Sequence, residues 1–81
     1  MRVTVRLFAR LRELAGTDTL IVEVTEPATV ASVWRAATLA VPALSPFERA
    51  LSCAVNASFS RMSHSVSEGD DVAFLPPVSG G

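Results

Sequence analysis

The sequence predicts an α+β domain: a mixed sheet with one main helix packed across one of its faces. Three observations carry that expectation. The N-terminus alternates polar and apolar residues, a single long stretch in the middle has helical periodicity, and a β-rich run lies near the C-terminus. Eighty-one residues, 49% hydrophobic and 19% charged, make one globular domain rather than two. At this size roughly 60% of the unfolded chain's surface is buried on folding, which suffices for one core.

Each element follows from its residues. Arg2-Val3-Thr4-Val5-Arg6-Leu7-Phe8 has period two, so Val3, Val5 and Leu7 face a core while Arg2, Thr4, Arg6 and Phe8 share the other face. Ala9 to Ala15 places Leu11, Leu14 and Ala15 at helical spacing and stops at Gly16, a short helical turn with a glycine C-cap. Leu20 to Val24 is a second strand, and its short connection favours antiparallel pairing with the first. Pro27-Ala28-Thr29 closes it and offers Thr29 as an N-cap. Val30, Val33, Trp34, Ala37 and Val41 then form one face of the main helix, Val30 to about Ala40. Pro42 ends that helix, and Ser45-Pro46 begins another short turn through Arg49. Cys53-Ala54-Val55 is a short strand, Asn56-Ala57-Ser58 a turn and Phe59-Ser60 a brief return strand. Glu68-Gly69-Asp70 turns the chain into a last strand, Asp71 to Leu75. A right-handed crossover through the helix sets the first and last strands side by side and parallel at the sheet's centre. That architecture is the β-grasp.

The inventory excludes several functions. One cysteine, Cys53, and one histidine, His64, cannot supply a disulfide framework or a four-ligand metal site from this chain alone. No nucleotide-binding glycine motif and no nucleophile elbow is present. The seven basic residues are all arginine, against eight acidic ones, so no electrostatic reason for nucleic-acid binding exists. No apolar run approaches the ~20 residues of a membrane span, and no signal-peptide core is seen. The expectation is a cytoplasmic chain that binds no membrane, no cofactor and no metal, and works by presenting a surface or a chain end.

That end is Pro76-Pro77-Val78-Ser79-Gly80-Gly81. The division expected is a domain over 1–75 and a flexible C-terminal tail over 76–81. Two prolines hold the exit extended and two glycines leave the tip without side chains. Six residues at about 3.1 to 3.3 Å each reach roughly 20 Å, enough to enter a narrow channel in another protein. The same pattern also describes an ordinary frayed terminus, and composition alone leaves both readings open.

The order of elements, the closing Gly69-Asp70-Asp71-Val72-Ala73-Phe74-Leu75-Pro76-Pro77-Val78-Ser79-Gly80-Gly81, the opening Phe8 to Asp18 and Ala54-Val55-Asn56 together resemble the small subunits of molybdopterin synthase, ubiquitin-like sulfur carriers. The resemblance spans the chain, with Val30 to Leu51 matching only in pattern. It implies that an ATP-dependent activating enzyme adenylates the Gly81 carboxylate and that a sulfur donor protein converts it to a thiocarboxylate. The carrier would then dock on the synthase large subunit, thread Gly80 and Gly81 into its active site and deliver sulfur to cyclic pyranopterin monophosphate. Gly81 is then the reacting residue, ATP is used by the activating enzyme, and acid–base groups belong to the partner.

The resemblance also implies an apolar docking patch of Phe8, Phe59 and Leu75, with Pro76 at the tail's root. Arg12 and the acidic Glu68, Asp70 and Asp71, expected beside the tail, are candidates for steering docking to partners of complementary charge; the plainer reading makes each a solvated surface or turn residue. Cys53, on an apolar strand, reads as a buried inert thiol, His64 as a loop residue and Trp34 as core. Three rivals remain: a thiamine-type thiocarboxylate carrier, a ubiquitin-like protein modifier joined through Gly81, and an interaction module with an inert tail.

Overall fold

A computed structural model describes residues 1–77. Strand β1, Arg2–Leu7, shows the expected alternation: Val3, Val5 and Leu7 are buried, while Arg2 and Arg6 are exposed. Helix α1, Ala9–Ala15, buries only Leu11 and ends at Gly16, whose φ of 73° is left-handed. The Gly16 amide donates to the Arg12 carbonyl at 2.9 Å, completing the glycine cap that the sequence suggests. β2, Thr19–Glu23, returns antiparallel to β1, pairing Val3 with Val22 and Val5 with Leu20.

Thr29 caps helix α2, Val30–Ala40, through a reciprocal box. The Ser32 amide donates to Thr29 Oγ1 at 3.3 Å and the Thr29 amide to Ser32 Oγ at 3.2 Å. Val30, Val33, Trp34 and Ala37 are buried on its inner face. The sequence places a short turn from Ser45 to Arg49 after the helix. The structure instead forms a 3₁₀ segment over Pro42–Ala50, capped by no side chain, with Leu44 fully buried. Pro42 ends α2 and also opens this segment, because proline's fixed φ suits a first helical position.

β4, Ser52–Val55, and β5, Ser58–Ser60, form a hairpin, and β7, Asp71–Leu75, completes the sheet. Its order is β2-β1-β7-β4-β5, with β1 and β7 parallel and β7 central. One feature escapes the sequence reading: β3, Ala28–Thr29, pairs antiparallel with β6, Ser65–Val66, as a separate two-stranded ribbon. Two-residue strands show no alternation, so period gives no signal for them.

The core lies between the sheet and α2, where Val3, Val5, Leu7, Val72 and Phe74 meet Val30, Val33, Trp34 and Ala37. The opposite face of the sheet is open. Along it run Thr4, Arg6, Asp71 and Ala73, with Phe59 paired opposite Ala54. Among the described residues no helix is long and apolar enough to cross a membrane, and no three His, Cys, Asp or Glu side chains gather as a metal site.

Candidate functional site at the exit of the central strand

Where β1 ends, Phe8 keeps an extended backbone (φ −123°, ψ 155°) and so continues the alternation onto the open face, 45% exposed. Ala9 then turns the chain with a φ of 51° into α1. A residue with a β-carbon is strained there by about 1–2 kcal/mol, which the capping bond from the Leu11 amide to the Phe8 carbonyl at 3.1 Å helps to offset. Parallel register sets Leu7 beside Phe74, so the end of β1 and the end of β7 lie together.

Phe8, Ala9, Arg10, Phe47, Leu75, Pro76 and Pro77 line an apolar groove at this point. Leu75, Pro76 and Phe47 are half-buried and Pro77 is exposed. The fold thus brings together three of the residues singled out from the sequence, Phe8, Leu75 and Pro76. It adds Arg10, held by an ion pair with Glu13 at 3.2 Å, and Phe47. Phe47 was legible only as an apolar residue in the polar stretch Ser45-Pro46-Phe47-Glu48; it reaches the groove because the 3₁₀ segment packs beside α1.

Phe59 does not line the groove. It is 81% exposed on β5, on the same open face but separated from β1 by β7 and β4. Arg12 is exposed one turn along α1 and is likewise outside the groove. A second depression, lined by Arg6, Phe8, Asn56, Ala57, Asp71 and Ala73, lies on the open face, so Phe8 borders both. Gly80 and Gly81, expected to be the reacting tip, lie outside the described residues.

The acidic candidates need a correction of place. Close to the tail in sequence, Glu68, Asp70 and Asp71 stand at the opposite end of β7, since Asp71 pairs with Thr4 whereas Phe74 pairs with Leu7. There they build a turn. The Ser67 amide donates to Asp70 Oδ2 at 2.8 Å, and Asn56 Nδ2 to Asp70 Oδ1 at 3.1 Å; the two bonds hold the Asp70 carboxyl below its ordinary pKa. Glu68 accepts the Arg2 amide at 2.9 Å. Asp71 pairs with the Arg6 guanidinium, whose pKa is raised by that hydrogen bond and charge. Cys53 is buried and donates to the Ser60 carbonyl at 3.1 Å, and burial pushes its thiol pKa up, as an inert cysteine requires.

Fold and site define a ubiquitin-like β-grasp domain whose central strand delivers the chain to an apolar groove. SAMP1, the small archaeal modifier protein 1, from Haloferax volcanii superposes with a TM-score of 0.88 at 32% identity, each chain covered completely. The same fold, at a TM-score of 0.67 and 22% identity over the whole of both chains, occurs in the complex of subunits 1 and 2 of the molybdopterin-converting factor from Helicobacter pylori.

Residues 5–81 match the ThiS family, and the chain belongs to that family. The molybdopterin synthase sulfur carrier subunit of Escherichia coli (strain K12) is 38% identical over 98% of this chain and 99% of its own length. The subunit of the same name from Arabidopsis thaliana is 31% identical over 100% of this chain and 84% of its own.

Proposed function

We propose that this chain is the sulfur carrier subunit of a molybdopterin synthase, acting in the cytoplasm. The observation that carries the reading is full-length similarity to two carrier subunits of that name, joined to a fold in which β7 leads directly into Pro76-Pro77 beside an apolar groove. The reactive group is the Gly81 carboxylate. Its oxygen attacks the α-phosphorus of ATP on an activating enzyme and pyrophosphate leaves, giving an acyl adenylate. Sulfur supplied by a donor protein then displaces AMP and leaves a thiocarboxylate. The chain itself binds no cofactor; ATP belongs to the activating enzyme.

The large subunit receives Gly80 and Gly81, and the thiocarboxylate sulfur moves to cyclic pyranopterin monophosphate. Glycine suits this because a β-carbon at either position would crowd the attacked carbonyl or the channel. Phe8, Leu75 and Pro76 form the docking edge next to the tail. Burying such an apolar edge against a partner supplies binding energy that the short tail alone lacks.

Intact-mass measurement of protein isolated from its host tests the reading. Replacement of one terminal oxygen by sulfur is expected, together with molybdopterin formation when the thiocarboxylated chain is added to the large subunit. A second reading, a protein modifier, is favoured by the likeness to small archaeal modifier protein 1. It predicts stable amide adducts of this chain on other proteins. With no lysine of its own, the chain cannot grow lysine-linked polymers.

A further inference from the structure

Phe47 lies at the exit of the central strand but has no part in the function proposed above. In a 3₁₀ segment side chains three apart eclipse, so Phe47 stacks one turn beyond the fully buried Leu44 and faces the same way. Leu44 anchors the segment in the core, and Phe47 is left half-buried as one wall of the apolar groove. Phe8 and Ala9 from the β1–α1 junction, and Leu75 with the two prolines from the chain exit, supply the other walls. The lining is apolar apart from Arg10, whose guanidinium is taken up by Glu13. Such a hollow suits an apolar side chain and would strip a polar one of its water.

The length of chain beyond the groove limits what can cover it. Four residues, 78–81, follow Pro77 and reach at most about 14 Å when fully extended. Any site that reacts with Gly81 therefore lies within that distance of Pro77, and the surface around its entrance comes to rest against the groove. The chain's own end is a poor filler, since Val78 is its only apolar side chain. We propose that Phe47 is a specificity-determining residue for the synthase: the groove it walls receives an apolar side chain, leucine- or phenylalanine-like, that the large subunit carries beside its channel mouth. The inference rests on the carrier reading above and adds to it a residue and a shape. The large subunit is the occupant rather than the activating enzyme, because a subunit contact is lasting and lasting interfaces bury more apolar surface than transient ones.

Two substitutions test the groove from different walls. Phe47→Ser removes one wall, whereas Ala9→Phe fills the space from another; Ala9 is exposed, so the second leaves the core untouched. Sulfur transfer is measured with the thiocarboxylated chain and the large subunit from the same organism. Each variant should raise KM about tenfold while kcat at saturation stays within about twofold, the signature of lost binding rather than lost chemistry. Phe47→Leu, which keeps an apolar wall, should stay within about threefold of the wild-type KM. Adenylation by the activating enzyme should be the same for all four chains. If Phe47→Ser melts below the assay temperature, Ala9→Phe alone decides. An unchanged KM for Ala9→Phe, or an equal slowing of adenylation, would overturn the groove's role and leave the carrier reading intact. A wild-type chain that neither gains sulfur nor binds the large subunit would overturn both.

Discussion

Trp34 and Phe74 meet edge to face, their ring centroids 4.9 Å apart and their planes inclined at 60°. The contact ties α2 to the central strand one residue before Leu75, so the helix fixes the level at which the chain leaves the sheet. Both side chains are fully buried. Phe74→Ala should cost about 3–5 kcal/mol, most of the stability of so small a domain. Urea denaturation measures it; a loss under ~1 kcal/mol would mean that the pair is not central to the core.

Trp34→Phe should be far milder. The indole Nε1 is buried without a hydrogen-bond partner among the described residues. Removing an unsatisfied donor regains part of the desolvation penalty, of order 1–3 kcal/mol, and offsets the lost volume. The same denaturation experiment should show a smaller shift for Trp34→Phe than for Phe74→Ala.

The β4–β5 turn holds Asn56 at a φ of 49° and Ala57 at 70°. Two successive positive φ values suit Asn-Gly, and alanine at the second is strained. Ala57→Gly is expected to stabilise by about 0.5–1 kcal/mol. Asn56→Ala should destabilise by roughly 1–2 kcal/mol, because Asn56 Oδ1 accepts the Asp71 amide at 3.0 Å and Nδ2 donates to Asp70. Thermal melting of the two variants should move in opposite directions.

Two groups set pH limits of opposite sign. Asp70 has a depressed pKa in the fold, so its contribution is present above the unfolded carboxyl pKa and is lost as acid protonates the native group. Asp70→Asn should flatten the fall in stability below about pH 4. Cys53 has a raised pKa, so stability declines as pH rises past about 8.5, where the unfolded thiol ionises first. Cys53→Ser should remove that alkaline decline, and native Cys53 should react with thiol reagents only as fast as the domain opens.

Phe8→Ser should leave the melting temperature nearly unchanged, since Phe8 is half exposed, yet weaken binding to the large subunit by about 2 kcal/mol, roughly thirtyfold. Phe59→Ser, on the same face but outside the groove, should weaken it less. Titration calorimetry compares them, and an equal loss would extend the docking edge across the whole sheet.

Gly81→Ala should keep the fold and strongly slow adenylation or sulfur transfer, because the added methyl crowds the reacting carbonyl. Normal molybdopterin formation by this variant would exclude the Gly81 chemistry.

Much of the fold is written locally. The alternation of Val3, Val5 and Leu7, the helical spacing of Val30, Val33, Trp34 and Ala37, the Thr29 cap and the Gly16 stop each rest on a few neighbouring residues, and each appears where those residues place it. The β3–β6 ribbon and the 3₁₀ segment were not legible in full. Ala28–Thr29 and Ser65–Val66 are too short to show a period, and they pair across more than thirty positions of chain.

The site divides in the same way. Period and local chemistry set Phe8 on the open face and Pro76-Pro77 after the last strand, and the motifs at the two ends of the sequence pointed to the family. Only the tertiary structure decided which of those residues meet. Parallel pairing of β1 with β7 joins Phe8 to Leu75 and Pro76, and packing of the 3₁₀ segment brings Phe47 to them. The length of β7 carries Glu68, Asp70 and Asp71 away from the tail that they adjoin in sequence. Strand direction and register depend on contacts between distant segments, and no local pattern encodes them.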